Sequence, residues 1–385
     1  MRHPLRTFTL LLLTGSTAVF AGMKFPAVPP EQAGESLAQL IVDRDSEGLA
    51  NRIDMKTLLN SVMQGTDLSD KDRADIDAGF QSSRTRLANG LIKSIAAQHA
   101  QVKLVRSRTT PKGSVQIIRL NYYDDAGQPS GYEYLEFELG RDGRIVDWYG
   151  HAQGSSVTDN MRMLISGILD TSSLQATVFG RAEVNEDAMA ALKAYTAAIN
   201  KADFAGAYAA LARMPSEFRG TRQWATLQAS AAASLGDTQY RAALDHLAQA
   251  HGNDPDAQFM LIDHYYFRKE HTRMIESIQN FENRVVSDGV TNMLECTGLL
   301  LDEQIAAAER VCLEATEIEP EFVNAWWTLV DVRAKSRDAV IVLGTLDEIE
   351  RRFELKMNPD LLLQQPGYEW LAEAEGFDDW AEARR

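Results

Sequence analysis

The chain reads as an α+β domain of helices followed by an antiparallel meander, and then as an all-α array of stacked helical hairpins. Three observations predict this class. Apolar residues recur at helical spacing, switch to alternation over roughly 102–151, and return to helical spacing for the rest of the chain. Strand-like runs come in succession, separated only by short turn signals. Small residues then repeat at fixed intervals in the C-terminal half, the mark of one supersecondary unit used several times.

The first element is an apolar leader. Arg2 and Arg6 precede the short apolar run Phe8–Phe20, and Val19-Phe20-Ala21 fits a small-residue cleavage site, so residues 1–21 are expected to be a signal peptide. The run is shorter than the ~20 residues a membrane-spanning helix needs, so no stable membrane insertion is expected after cleavage. No cysteine follows the cleavage region, which argues against a lipid anchor. The expected location is the periplasm of a Gram-negative bacterium. Residues 22–30, with Pro26 and Pro29-Pro30, form a linker.

Residues 31–180 make the α+β domain. Glu31–Val42, Leu49–Gln64 and Asp70–His99 are expected helices, the last with Ile76, Phe80, Leu87, Leu91 and Ile95 on one stripe. Val102–Arg108, Ser114–Tyr123, Gly131–Leu139 and Arg144–His151 are expected strands, with turns at Thr110–Gly113, Asp124–Gly127 and Gly140–Gly143. Met161–Leu169 starts a further amphipathic helix, and 180–185 is the expected boundary. By order and length this arrangement resembles the NTF2-like or cystatin-like superfamily, whose curved sheet wraps a long helix. The resemblance implies a cone between sheet and helix, where a ligand or catalytic groups would sit. Glu133, Leu135, Phe137 and Leu139 face that core, whereas Asp147, Tyr149 and His151 share the solvent side. Asp147 and His151 lie four residues apart on a strand, ~13 Å, too far to act as a base and its orienting carboxylate.

Residues 181–358 carry the repeats. The central stretch is 224–255, WATLQASAAASLGDTQYRAALDHLAQAHGNDP. Ala231, Ala243 and Ala250 leave room for close helix crossing, where an extra methylene costs ~1–3 kcal/mol. Gly236-Asp237 ends one helix and starts the next, and Pro255 closes the second. The spacing Ala231, Gly236-Asp237, Ala243, Leu247, Ala250, Pro255 resembles the tetratricopeptide repeat (TPR), with Leu227 where that pattern has tryptophan. Cys296, Ala308, Cys312, Ala315 and Pro320 repeat the same intervals, and Val323-Asn324-Ala325-Trp326 with Leu329 opens another unit. Its second helix, roughly 338–353, carries Val342 where alanine is expected. Hairpins at 187–214, turning at Lys201-Ala202-Asp203, and at 256–288 complete about five. Residues 359–385, rich in leucine and aromatics, form a C-terminal capping segment.

The TPR resemblance implies that a peptide or protein segment binds a concave face built from the first helices of the hairpins. The residues expected there are Gln223, Gln228, Asp263, Tyr266, Asn292, Asn324, Trp327 and Asp331. The net charge is −16, and residues 181–385 hold 35 acidic against 20 basic side chains, which excludes nucleic acid as a partner of the array. Cys296 and Cys312, the two cysteines, lie at equal height on either side of one hairpin turn. They either bridge or remain two small buried thiols. No glycine-rich phosphate loop, G-x-S-x-G elbow or H-E-x-x-H is present, so no cofactor, metal or catalytic residue is expected. His246 and His251, like His264 and His271, are not at ligand spacing in one element. The chain is thus expected to be a non-enzymatic, exported interaction protein, with a ligand-binding or enzymatic cone as the alternative.

Overall fold

The computed structural model describes residues 30–64, 83–96, 99–124, 126–127, 129–168, 186–199 and 203–385, with 77, 80 and 201. The signal peptide, most of the linker, the first half of Asp70–His99 with Ile76, and the boundary at 180–185 lie outside the described residues. The chain divides into two compact units, one reaching His264 and one spanning Tyr265–Arg385.

The first unit opens with helices α1 (Pro30–Val42), α2 (Ser46–Arg52), α3 (Met55–Met63) and α4 (Arg84–Ala96). The expected helix Leu49–Gln64 is two helices. Asp45 caps α2 through Gly48 N at 2.8 Å, and Asp54 caps α3 through Lys56 N and Thr57 N, both at 3.1 Å. A side-chain acceptor for the free N–H groups is what lets a new helix start.

The meander follows: β1 (Gln101–Thr110), β2 (Gly113–Tyr123), β3 (Pro129–Gly140), β4 (Ile145–Gly150) and the short β5 (Ser155–Ser156), all antiparallel in chain order. Each expected strand is present, extended by one to three residues or trimmed at its ends. Ile118, Leu120, Leu135, Phe137, Leu139 and Trp148 share a core with α1, α2, α3 and α4. The opposite face is not solvent-side throughout. Tyr132, Tyr134, Ile117 and Arg119 are buried too, and Tyr134 meets Phe259 edge-on at 5.2 Å between ring centroids. The sheet therefore has a helical layer on its second face.

After α5 (Val157–Ile168), that layer is built from α6 (Glu186–Ile199), α7 (Phe204–Ala212), the single turn α8 (Ser216–Arg219), α9 (Arg222–Ala232) and α10 (Asp237–His251). Asp203 caps α7 through Gly206 N at 2.8 Å, and Thr221 caps α9 through Trp224 N at 3.3 Å. Between α9 and α10, Gly236 adopts φ 111°, a conformation that a Cβ resists. Ala231, Ala243 and Leu247 are fully buried as the spacing requires, but Ala250 is exposed in the last turn of α10.

Helix α11 (Gln258–Arg268) carries the division between the units and is buried all round from Gln258 to Tyr265. The second unit continues through α12 (His271–Arg284), α13 (Gly289–Leu301), α14 (Ile305–Ile318), α15 (Val323–Ser336) and α16 (Ala339–Phe353). Lys269, Glu303 and Arg337 take the left-handed conformation at successive hairpin turns. With the pairs α6/α7 and α9/α10, the described residues hold five successive hairpins, the arrangement a TPR-like array has. Val342 is fully buried where alanine was expected. The chain ends with α17 (Pro359–Leu363), a 3-10 turn Glu369–Glu373 and α18 (Phe377–Glu382). Leu362, Tyr368, Leu371, Phe377 and Trp380 pack with Val330, Val342, Leu346 and Ile349 in one core.

Candidate interaction surface

The eight residues expected on a binding face fall in both units, and their surroundings differ. In the first unit, Gln223 and Gln228 on α9 are half-buried, and Gln223 Nε2 donates to Asp159 O at 3.4 Å. Asp263 is fully buried and accepts the Tyr240 hydroxyl at 2.9 Å. It offers no surface to a partner. In the second unit, Asn292 is buried and accepts from Ser287 Oγ at 3.4 Å, so it belongs to the interior of α13. Tyr266, Asn324, Trp327 and Asp331 are half-buried. Asp331 accepts the Tyr368 hydroxyl at 2.5 Å, and burial raises both pKa values. The C-terminal segment therefore already satisfies Asp331.

Trp327 lies beside that same contact. It is half-buried against the core formed by Tyr368, Leu371, Phe377 and Trp380, as is Trp326. Trp326 Nε1 donates to Pro320 O at 3.0 Å, and the Arg352 guanidinium sits 4.9 Å over its ring. Trp380 Nε1 donates to Asp347 at 2.6 Å, and Arg384 bonds Glu350 at 2.6 Å and covers the Trp380 ring at 3.9 Å. These aromatics are held from several sides, and the polar groups a peptide would meet are engaged within the chain.

Cys296 and Cys312 are joined in a disulfide that ties α13 to α14, with their Cα atoms 5.4 Å apart. Both residues are fully buried, so the bridge lies between the two helices.

A different surface is open. Along α14 runs a groove of about 430 Å³ lined by Ala306, Glu309, Arg310, Leu313, Glu314 and Glu317. Leu313 and Ile318 are exposed apolar side chains on this helix. Glu309 pairs with Arg333 at 2.9 Å and Glu314 with Arg310 at 2.7 Å. With Arg333 counted, three carboxylates face two guanidinium groups, a small negative excess that favours a basic occupant. The sequence signal for it was present as leucine and glutamate alternating at i, i+4 spacing on the outer side of one second helix. It lies on a second helix, whereas the expected face is built from first helices.

A small cavity among the described residues lies between the sheet and its neighbouring helix. Between Leu91, Leu135, Trp148, Gly150, Gln153, Ser155, Val157 and Asn160 the free volume is about 10 Å³, on the order of the space one water needs. Polar groups do occur on the core face. Glu133 is buried; burial pushes its carboxyl up to about 8, although Tyr134 N at 2.8 Å and Ala152 N at 2.9 Å donate to it. These donors belong to its own strand and to the turn after β4, so the carboxyl holds that turn.

His151 was expected toward solvent but is buried, with Nε2 3.2 Å from Glu136, which Arg108 also binds at 3.0 Å. Asp147 is engaged elsewhere, accepting Trp148 N at 2.8 Å and Thr158 N at 3.1 Å. Alternation along β4 could not show that a helical layer covers this face. Among the described residues no group of three or more His, Cys, Asp or Glu is placed to hold a metal ion. No described helix is long and apolar enough to cross a membrane.

No protein-family model matches the chain. No curated protein matches it either. Among solved structures it is similar to MamA from Desulfovibrio magneticus RS-1, residues 41 to the end, at 14% identity and a TM-score of 0.38. A second similar structure is a MamA RS-1 ArsTM double mutant, at 13% identity and a TM-score of 0.38. Each covers 45% of this chain and 97% of its own.

Proposed function

We propose that the chain is an exported, non-enzymatic protein-binding protein whose TPR-like helical hairpins supply the recognition surface. The observation that carries this reading is the groove on α14, an open surface with acidic flanks and an exposed leucine on one helix of the array. It supports a basic peptide or protein segment as partner. A helix in a groove uses apolar anchors at intervals of three or four residues, with charges setting orientation. Half-buried Gln228 and Tyr266 are further candidate contacts on the first helices. The α+β part, read as NTF2-like or cystatin-like by its helix-then-meander order, serves in this proposal as a second structural module. A ligand or reaction within that module is the alternative reading.

The test uses the mature chain as bait in an envelope extract, followed by cross-linking and mass spectrometry. The expected result is a captured protein whose basic segment cross-links to α14, with capture lost in Glu309→Lys/Glu314→Lys/Glu317→Lys. Cross-links confined to other surfaces, or capture unchanged by that triple substitution, would overturn the reading. Export is tested separately by the mass of the protein recovered from the periplasmic fraction. Cleavage after Ala21 leaves Gly22 as the first residue, and an intact Met1 would contradict it.

A further inference from the structure

Arg52 ends helix α2 at the foot of the first unit, and one edge of its guanidinium is buried without an acceptor. Both Nε and Nη2 lack a hydrogen-bond partner. Those two atoms form the side-on pair of donors that grips a carboxylate or phosphate oxygen pair in parallel. Withdrawing charged donors from water and leaving them unmet carries the full desolvation cost. A buried group in that state calls for an ion, a water or a functional reason.

Two further arginines stand on the elements packed around it. Ile53 bridges Ile145 in parallel, and Asp54 N donates to Ile145 O at 2.8 Å, so Arg52 and Arg144 enter that bridge side by side. Arg144 Nη2 donates to Ile53 O at 3.0 Å. Helix α4 packs on α2 and begins at Arg84. Burial lowers the Arg84 pKa, and the charge of Arg144 lowers it further. Burial likewise lowers that of Arg52, against an opposing pull from Asp142.

The carboxylates nearby are committed to the backbone. Asp54 accepts Lys56 N, Thr57 N and the Thr57 hydroxyl, the last at 2.7 Å. Asp142 accepts Arg144 N at 3.1 Å. Among the described residues, Arg52, Arg144 and Asp142 meet at this bridge, and Arg84 lies near Arg144.

We propose that Arg52, with Arg84 and Arg144 beside it, forms a binding site for a small oxyanion that seats on the Nε/Nη2 edge of Arg52. The shared chemistry is a pair of anionic oxygens, supplied either by a free phosphate or by a small carboxylate. Arg52 as a residue is half-buried, which places this edge just beneath the surface and limits the ligand's size.

The experiment titrates the mature chain with inorganic phosphate and, separately, with acetate at constant ionic strength, reading Tm and heat of binding. A ligand that binds only the folded state raises Tm, by several degrees at about a hundred times its Kd. The expected result is a saturable rise with at least one anion, abolished in Arg52→Gln and stronger at equal concentration in Asp142→Asn. The anion giving the tighter binding identifies the source. No rise in the wild-type chain, or an equal rise in Arg52→Gln, would overturn the proposal. So would an Asp142→Asn chain that loses stability as Arg52→Gln does without any anion effect, because Asp142 would then be the partner of Arg52. Should Arg52→Gln fail to fold by circular dichroism, the Asp142→Asn titration still decides.

Discussion

Glu133 stands on the face of β3 that also carries Leu135, Phe137 and Leu139, and burial pushes its carboxyl up to about 8. In the unfolded chain the same group titrates near 4.3. Between those values the folded state holds the proton and the unfolded state does not, so stability falls as pH rises across that window. Glu282 acts in the same direction. Burial raises it to about 7, and Glu295, Asp288 and Glu314 add repulsion against the hydrogen bond from Thr291. The protein should be more stable near pH 5 than near pH 8. Glu133→Gln should flatten that dependence, since both N–H donors of Tyr134 and Ala152 meet Oε1, which glutamine keeps. Urea melts of both chains at pH 5, 6, 7 and 8 check this, and parallel curves would contradict it. Gly236 makes a simpler case. A side chain at φ 111° strains the turn between α9 and α10, although nothing crowds the position. Gly236→Ala should lower unfolding stability by about 1–3 kcal/mol, the cost of a positive-φ extended backbone for an L-residue.

At the scale of elements, the bridge between α13 and α14 closes a separation of 16 residues. Restricting the unfolded chain over that distance is worth about 3 kcal/mol. Cys296→Ala/Cys312→Ala should therefore unfold at lower denaturant, and a reducing agent should bring the wild-type chain to the same midpoint without affecting the double variant. The strands and hairpins were legible in the sequence because their signals are local. Alternation, turn residues and small-residue intervals depend on neighbours within one hairpin. Gly236, buried Ala231 and buried Ala243 are examples. What lay outside local reach was partnership between distant elements. Asp331 was legible as a polar residue on a first helix, but not its bond to Tyr368, 37 residues on. His151 was legible as a strand residue, but not the layer that buries it. Ala250 fits the repeat interval yet is exposed, because an interval does not fix burial.

Across the first unit, the second face of the sheet and the first hairpins are bound together by groups far apart in sequence. Arg222 on α9 donates to Gly154 O at 3.0 Å and pairs with Asp254 at 3.1 Å and Asp256 at 3.4 Å. Tyr149 on β4 donates its hydroxyl to Asp256 O at 3.3 Å. Gly154 itself has φ 64° and lies so close to α9 that a Cβ there would come within 2.7 Å of Thr226 Cγ2. The Arg222 guanidinium is half-buried and satisfied by four oxygens, the Tyr149 hydroxyl among them, which makes its removal costlier than the loss of an exposed ion pair. These links mean that α9 and α10 depend on the sheet as well as on their neighbouring helices. A simple repeat array opens hairpin by hairpin, each depending only on its neighbours. Here the hairpin α9/α10 should open together with β3 and β4. Native-state hydrogen exchange on the full chain tests this through the amides of 222–232, 237–251 and 132–150. In Gly154→Ala or Arg222→Met, protection should fall in all three stretches by a similar factor. A loss confined to the substituted element would show that sheet and hairpin hold themselves independently, and the array would then begin at α6 as a self-sufficient structure.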